Sequence, residues 1–250
     1  MSTVHIVVIG ANGRMGARVC ALAREDASMV IDACVTRDEG ASAEEKNVPR
    51  TAGEKSFGRD AGGVVIDFSS SSGTLSALKT ARERGAALLV GTTGLDEKIL
   101  LELREASRTM AVMVAANTSM GVCVMSDAVS RMARLLGPAY RAGIVEAHHE
   151  MKKDAPSGTA KRLAKAVRDG GGVLSDDQIV ALRGGDVIGE HTVRFAGAGE
   201  YLEVTHRATT RDLFARGALS AAKWLNAKPA GWYGVEDVVG VRQEGRGGGR

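Results

Sequence analysis

The stretch from Val4 to Gly16, V-H-I-V-V-I-G-A-N-G-R-M-G, decides the fold of this chain. Its first six residues are β-branched and apolar enough for a strand, and a helical pattern follows Gly13. A strand that passes through a glycine-rich turn into a helix is typical of a dinucleotide-binding unit, because the turn lets the backbone approach a pyrophosphate. The spacing is G-x-x-G-x-x-G rather than G-x-G-x-x-G, so a glycine turn that binds another ligand is the alternative.

Strand and helix patterns alternate through the first half of the chain. This alternation is typical of a parallel sheet with right-handed crossovers. Ser69–Ser72 lies between a strand and a helix and is interpreted as a turn and helix cap rather than a linker. The predicted strands are Val4–Ile9, Met29–Val35, Val64–Phe68, Ala87–Val90 and Ala111–Val114, and the predicted helices are Gly13–Arg24, Thr74–Arg84 and Asp96–Ser107.

The pattern changes at about Ser119. A long helix to about Leu136 is followed by a strand around Ile144, a dense polar segment with its own helix, and strands joined by glycine turns. These features predict a mixed α+β domain with an antiparallel-rich sheet, while an amphipathic helix from Asp212 is expected to return to the first domain. The predicted domains are an α/β Rossmann domain (residues 1–119 and 211–242), a mixed α+β domain (residues 120–210) and a disordered tail (residues 243–250).

Composition and charge are typical of a globular protein. Hydrophobic residues make up 44% of the 250 residues and charged residues 25%. The net charge of +3 is small and aromatic residues are scarce, so nucleic-acid binding is not favoured. No apolar run approaches the ~18 residues of a membrane span, and no signal-peptide pattern precedes Val4. Cys20, Cys34 and Cys123 lack C-x-x-C spacing, which indicates thiols in a reducing compartment and a cytoplasmic protein.

The stretch from Glu146 to Thr159, E-A-H-H-E-M-K-K-D-A-P-S-G-T, connects a strand to a helix. Asp154 or Ser157 can accept hydrogen bonds from the first amides of that helix, and Pro156 suits its opening turn. Free amides at the positive end of a helix would hold a carboxylate or a phosphate. A capped helix beside a solvated charge run explains the same spacing equally well.

Two histidines and two lysines precede this helix. His148 and His149 are side chains that readily exchange protons near neutral pH, and Lys152 and Lys153 add positive charge beside the anion site. The order H-E-M-K-K lacks the second histidine of H-E-x-x-H, so a metalloprotease helix is not supported and no metal is predicted.

The end of the second strand bears on the choice of nucleotide. An NAD-selective site places an acidic residue there to bind the ribose hydroxyls. Thr36 occupies that position and Arg37 can pair with a 2′-phosphate, which favours NADPH over NADH. If the strand ends later, Asp38 or Glu39 could serve the ribose, and Arg37 would be an exposed loop charge.

Two further loops, Gly91–Gly94 and Ala115–Ser119, follow predicted parallel strands at their carboxyl ends. Ligands bind at that edge in such folds, so these loops are expected to line the nicotinamide crevice. Ordinary turn chemistry explains either loop equally well when it is taken alone.

The motifs of this chain, taken in order, resemble one enzyme family. They are G-A-N-G-R-M-G, D-F-S, G-T-T-G, A-A-N-T-S-M-G-V, E-A-H-H-E-M-K-K-D-A-P-S-G-T-A, G-E-H-T-V and F-A-R-G-A-L. Together they resemble 4-hydroxy-tetrahydrodipicolinate reductase, also called dihydrodipicolinate reductase, and H-H-x-x-K-x-D-A-P-S-G-T is the specific part. The resemblance implies an enzyme of bacterial lysine and diaminopimelate synthesis with a Rossmann domain, a hinge, and a substrate domain that also builds a homotetramer.

The resemblance also implies a role for each site residue. His148 would be the acid/base group and Lys152 the proton donor for reduction of a cyclic dicarboxylate by NAD(P)H. His149 and the turn Ser157, Gly158 and Thr159 would bind the substrate, with the amides of Gly158 and Thr159 on a carboxylate. The implied cofactor contacts are Gly10, Ala11, Asn12, Gly13, Arg14 and Met15 on the pyrophosphate, Thr36 and Arg37 on the ribose, and Gly91, Thr92, Thr93, Ala115, Ala116, Asn117 and Thr118 on the nicotinamide side.

Three features depart from the family pattern. Many relatives carry an acidic residue where Thr36 stands, an aromatic is common at Thr118, and the connection after the second strand is short. Two other functions compete with the reductase. A related dehydrogenase of another amino or imino acid would not need H-H-x-x-K, and a silent NADPH sensor would have no use for paired proton donors beside an anion site.

Overall fold

A computed structural model describes residues 3–36, 50–52 and 62–241 of the chain. These residues form two compact units. The first unit runs to Thr118 and includes Asp212–Gly240, and the second is Ser119–Arg211. The predictions made for Arg37, for Asp38 and Glu39, and for the tail at 243–250 lie outside the described residues.

The secondary structure follows the predicted alternation and then the predicted change of pattern. The strands are β1 (Val4–Ile9), β2 (Met29–Thr36), β3 (Arg50–Ala52), β4 (Val64–Asp67), β5 (Ala87–Val90), β6 (Ala111–Val114), β7 (Arg141–His148), β8 (Ile179–Arg183), β9 (Glu190–Ala196), β10 (Tyr201–Arg207) and β11 (Gly231–Tyr233). The helices are α1 (Arg14–Arg24), α2 (Ser71–Arg84), α3 (Glu97–Ala106), α4 (Met120–Leu136), α5 (Gly158–Asp169), α6 (Asp212–Leu225) and α7 (Val235–Val239). No helix in these ranges is long and apolar enough to cross a membrane.

The first unit is built on a seven-stranded parallel sheet with the order β3-β2-β1-β4-β5-β6-β11. The order reverses between β1 and β4, and ligands bind at such a switch point outside the carboxyl ends of the strands. The predicted Rossmann fold is therefore confirmed. The short edge strands β3 and β11 were not predicted, because three residues are too few to show the alternation of apolar and polar side chains that indicates a strand.

Helix starts in the first unit are set by capping residues. The pattern predicted a helix from Thr74, but α2 begins three residues earlier because the Ser70 hydroxyl accepts a hydrogen bond from the Gly73 amide. Asp96 caps α3 in the same way through the Ile99 amide. In this unit α6 packs against α1, and Asp212 accepts two hydrogen bonds from Arg18.

The second unit is a four-stranded mixed sheet with the order β10-β9-β7-β8. Only β7 and β8 are parallel, so the predicted mixed, antiparallel-rich sheet is confirmed. Helices α4 and α5 pack together, and their buried side chains form one core with β7 and β9. Alternation along β7 places Ile144, Glu146 and His148 on the core face and Val145 on the opposite face.

Candidate active site

The turn between β1 and α1 has the geometry of a phosphate cradle. Gly10 has a φ of +80°, and a Cβ there would lie 2.8 Å from the carbonyl carbon of Phe68, so only glycine fits. Gly13 is the N-cap of α1 and offers no side chain to its first amides. Gly16 packs tightly on the turn, where a Cβ would lie 2.9 Å from the Ala11 Cα. Open amides at the positive end of a helix, with close backbone access, fit a nucleotide pyrophosphate.

Asp67, at the end of β4, fixes the neighbouring loops of this edge. Its buried carboxylate accepts hydrogen bonds from the Thr74 hydroxyl at 2.6 Å, the Thr92 hydroxyl at 2.8 Å and the Ser69 amide at 3.1 Å. Burial raises the pKa of this carboxyl, although the hydrogen bonds oppose the shift. Because the Thr92 hydroxyl is bonded to Asp67, this predicted cofactor residue can contact a ligand only through its backbone. The sequence pattern alone predicts no role for Asp67.

The loop after β6 is held from two sides. The Ala115 amide donates to the Val90 carbonyl at 2.8 Å, and the Thr118 hydroxyl donates to the Phe214 carbonyl of α6 at 2.6 Å. Ala116 is exposed and Asn117 is half-buried between these anchors. The Thr118 hydroxyl is thus engaged by α6, and the part of the predicted nicotinamide loop that a ligand can reach is Ala116 and Asn117.

Thr36, the residue predicted to lie near the ribose, is the last residue of β2 and is buried.

In the second unit, three strands bring titratable groups together around Glu146. This fully buried carboxylate accepts from the Arg183 guanidinium at 2.9 and 3.1 Å, from the Ser157 amide at 3.1 Å, and from Nδ1 of His148. Burial raises the pKa of Glu146, but the bonds from Arg183, His148 and Ser157 outweigh it, so the net pKa lies below its usual value. His191 lies opposite Glu146 on β9, with its ring 5.0 Å from that of His148.

The start of α5 is the predicted anion turn. Ser157 is the N-cap, with its hydroxyl accepting from the Ala160 amide at 3.2 Å and bonded to Nε2 of His191 at 3.0 Å. The alternative cap Asp154 is wrong, because its carboxylate instead accepts from Lys152 Nζ at 2.6 Å. Gly158 opens the helix with free space around it, so a ligand can reach its amide.

The predicted proton-transfer residues lie within five positions of one another. His148 is buried, and burial lowers its pKa although Glu146 raises it, so the ring is neutral near pH 7. His149 is half-buried and its amide donates to the Val187 carbonyl at 2.6 Å. The Lys152 ammonium is partly exposed beside Asp154, and this contact lowers the pKa of the aspartate. Lys153 is exposed.

Three of these side chains have the donor types of a metal site. Ligand atoms of Glu146, His148 and His191 lie within 4.8 Å of one another. The Arg183 guanidinium already occupies both oxygens of Glu146, however, so a cation would have to displace a positive charge. This donor set is better suited to an ion pair than to a metal.

Acid is expected to destabilise the second unit through His191. Burial, aided by the nearby His148, lowers the pKa of His191 to about 4. The unfolded chain takes up this proton from about pH 6.5 downward, so stability present at pH 7 is lost as the pH falls toward 4. Between pH 7 and pH 5 the loss from this one group is about 2 kcal/mol. Urea unfolding at both pH values measures it, and His191→Gln should reduce the difference; an unchanged difference would contradict the assignment.

Comparison with known proteins matches each of the two units to a part of one enzyme family. Residues 4–118 match the family model "Dihydrodipicolinate reductase, N-terminus" and residues 121–239 match "Dihydrodipicolinate reductase, C-terminus". The 4-hydroxy-tetrahydrodipicolinate reductase of Xanthomonas euvesicatoria pv. vesicatoria (strain 85-10) is 44% identical, over 95% of this chain and 98% of its own. That of Myxococcus xanthus (strain DK1622) is 36% identical, over 96% and 99%.

A solved structure agrees with the fold. The dipicolinate-bound dihydrodipicolinate reductase from Paenisporosarcina sp. TG-14 superposes with a TM-score of 0.76 and 18% identity, over 93% of this chain and 97% of its own. The family resemblance inferred from the motifs is confirmed. The chain therefore belongs to the dihydrodipicolinate reductase family of oxidoreductases.

Proposed function

We propose that this chain reduces 4-hydroxy-tetrahydrodipicolinate to tetrahydrodipicolinate with loss of water, in lysine and diaminopimelate biosynthesis, with NADPH as the favoured cofactor. The observation that carries the proposal is the segment His148–Thr159, which joins a buried histidine, a lysine and the open N-terminus of α5. A cyclic dicarboxylate requires this combination of proton donors and oriented amides. The substrate is named from the relatives, whose names state it.

The roles follow from what each group can donate. The amides of Gly158 and Thr159 hold a substrate carboxylate at the positive end of α5. His149 orients the ring, Lys152 donates the proton with which the hydroxyl leaves as water, and His148 is the acid/base group that exchanges a proton through Nε2. The nicotinamide nucleotide, when bound, supplies the hydride to the carbon that loses the hydroxyl.

The first unit has the residues to hold that nucleotide. The turn from Gly10 to Met15 would take the pyrophosphate, since Gly10 and Gly13 allow the backbone to form a tight turn and α1 begins without a side-chain cap on its first amides. The loops Gly91–Thr93 and Ala115–Thr118 follow neighbouring strands of the same sheet edge and would flank the nicotinamide.

A coupled assay tests the reaction. The substrate is made freshly from pyruvate and aspartate semialdehyde, and NADPH oxidation is followed by the loss of nicotinamide absorbance. We expect oxidation only when this substrate is present. Intact nucleotide binding without substrate-dependent oxidation would exclude the reductase function and leave the sensor or another dehydrogenase.

The preference for NADPH rests on Thr36, the last residue of β2, and on Arg37, which follows it in the sequence. Arg37→Ala should lower the NADPH/NADH ratio of kcat/KM by on the order of 10–10²-fold, because a charge-assisted bond to the 2′-phosphate contributes about 1.5–3 kcal/mol. Lys98→Ala, which removes an exposed cation on α3, is the control and should leave the ratio unchanged. An unaltered ratio in Arg37→Ala would show that Arg37 does not contact the phosphate.

A homotetramer is part of the proposal. Val145, Val180 and Leu182 are exposed on the outer face of the adjacent strands β7 and β8, at 46%, 48% and 54%. Contiguous exposed apolar side chains on a sheet are typical of an interface between subunits. Light scattering of the full chain should give four times the mass of one chain, and a monomer would contradict the assembly.

A cytoplasmic location is proposed from the cysteines. Cys20, Cys34 and Cys123 are buried thiols that form no disulfide, and the sulfurs of Cys20 and Cys34 lie 3.2 Å apart. Thiols persist in this form in a reducing compartment. Fractionation of producing cells would test the location.

A further inference from the structure

The carboxylate of Glu146 is hydrogen-bonded on all sides by groups that serve the candidate site. An ionised carboxylate accepts about four hydrogen bonds. Glu146 accepts two from Arg183, one from His148 and one from the Ser157 amide. It therefore connects the proton-transfer histidine to the turn proposed to bind the substrate carboxylate.

The contact with Glu146 fixes the protonation pattern of His148. A carboxylate only accepts, so Nδ1 of His148 carries the proton in this pair. In the neutral ring Nε2 is then the free base, and this is the nitrogen available for proton exchange with a ligand. Glu146 thus determines which nitrogen can act.

Arg183 extends the same network along the backbone. While it holds Glu146, its guanidinium also donates to the Lys152 carbonyl at 3.2 Å and to the Asp154 carbonyl at 2.6 Å. The Glu146–Arg183 pair therefore anchors the chain on both sides of Lys152. The segment between His148 and Ser157 is held at its start, middle and end by one ion pair.

The energetics argue that this pair has a role beyond stability. A buried ion pair is often no more stabilising than apolar side chains of the same volume, because both charges lose their hydration. Orientation of a histidine by a buried carboxylate is, by contrast, a common way to prepare it for proton transfer.

We propose that Glu146, held by Arg183, is a positioning residue that orients His148 and the Ser157–Thr159 turn for the reduction. This role rests on the reductase function proposed above. Glu146 itself does not contact the substrate, since it has no exposed surface and its oxygens are occupied by protein donors.

The kinetic test uses Glu146→Gln, which keeps the shape and removes the charge. The variant should lose kcat on the order of 10–10²-fold with little change in NADPH affinity. Because Glu146 raises the pKa of His148, its removal should also move the acid limb of kcat/KM to lower pH. Arg183, Lys152 and His191, which also face His148, are unchanged in this variant. Glu146→Asp retains the charge and should return the acid limb of kcat/KM to the pH at which it lies in the wild type.

The matched control is Glu203→Gln, at an exposed glutamate of β10 that pairs with Arg194. It should behave as the wild type. A loss of kcat in Glu146→Gln without any shift of the limb, or no loss at all, would overturn the positioning role.

A measurement on the wild-type chain depends neither on the folding of the Glu146 variants nor on an active enzyme. With ¹⁵N-labelled histidine at a pH where the rings are neutral, the His148 signal should show a protonated Nδ1 and a bare Nε2. The signal is assigned by its absence from His148→Gln. A proton on Nε2 instead would overturn the proposal. If the wild type lacks reductase activity, the function fails, while this spectrum still decides whether Glu146 orients His148.

Discussion

His148→Gln should lower kcat by about 10²–10⁴-fold, the usual contribution of a positioned acid or base. The His148 ring lies in the core face of β7 with Nδ1 held by Glu146, so Nε2 is the nitrogen that can exchange a proton. Glutamine can fill this space but cannot take or give a proton near neutral pH. Nucleotide affinity, measured by NADPH fluorescence titration, should be unchanged because the phosphate cradle lies in the other unit.

Lys152→Ala is the companion variant and should also reduce kcat rather than NADPH affinity. The neighbouring Lys153→Ala provides a matched control, because it removes an exposed ammonium of the same charge one residue away. If Lys153→Ala were as damaging as Lys152→Ala, general positive charge rather than a placed proton donor would explain the effect. If either His148→Gln or Lys152→Ala chiefly weakened NADPH binding, the division of roles between the two units would be wrong.

The Rossmann sheet could be predicted because its strands are short apolar runs between turn residues. Val4–Ile9, Ala87–Val90 and Ala111–Val114 are bounded in the structure as the pattern predicts. The three-residue edge strands have too little length for a period, and their pairing with β2 and β6 depends on tertiary contacts. The cap predicted within Ser69–Ser72 is confirmed at Ser70, but the start of α2 at Ser71 was placed too late because the apolar pattern begins only at Thr74.

The candidate site could be predicted only where its residues are neighbours in sequence. His148, Lys152 and the Ser157 turn lie in one segment, so their spacing was visible. Arg183 and His191 reach Glu146 from two other strands, and β7 lies between β8 and β9 although those two follow one another along the chain. Sequence order does not dictate that pairing. The position of Glu146 could have been predicted, because it lies two residues before His148 on the same strand, and residues two apart on a strand share a face.

Asp67 illustrates the same limit in the first unit. Its partners Thr74 and Thr92 are 7 and 25 residues away in sequence. Thr74 reaches it because α2 packs on β4, and Thr92 because β5 pairs with β4. A single acidic residue that ends a buried apolar strand was the available signal, since an isolated carboxylate is rarely buried without hydrogen-bond partners. In the sequence, this position stands out only as part of the D-F-S motif.

Gly10→Ala should destabilise the first unit and weaken NADPH binding together. The added methyl group would lie 2.8 Å from the Phe68 carbonyl carbon, and the backbone φ of +80° is unfavourable for alanine. The positive φ costs about 1–2 kcal/mol, and the overpacking costs about 1–3 kcal/mol more. Since the turn must move to relieve the clash, the amides that would hold the pyrophosphate move with it.

Gly62→Ala separates these two causes. Gly62 also has a positive φ, +64°, but a Cβ there has no neighbour within 4 Å. This control should therefore lose only the backbone cost of about 1–2 kcal/mol and keep its affinity for NADPH. Urea unfolding and fluorescence titration of the two variants give the comparison. Equal losses of stability with normal NADPH binding in both would mean that the close approach of Gly10 to Phe68 does not shape the cradle, whereas a selective loss in Gly10→Ala would tie nucleotide binding to that contact.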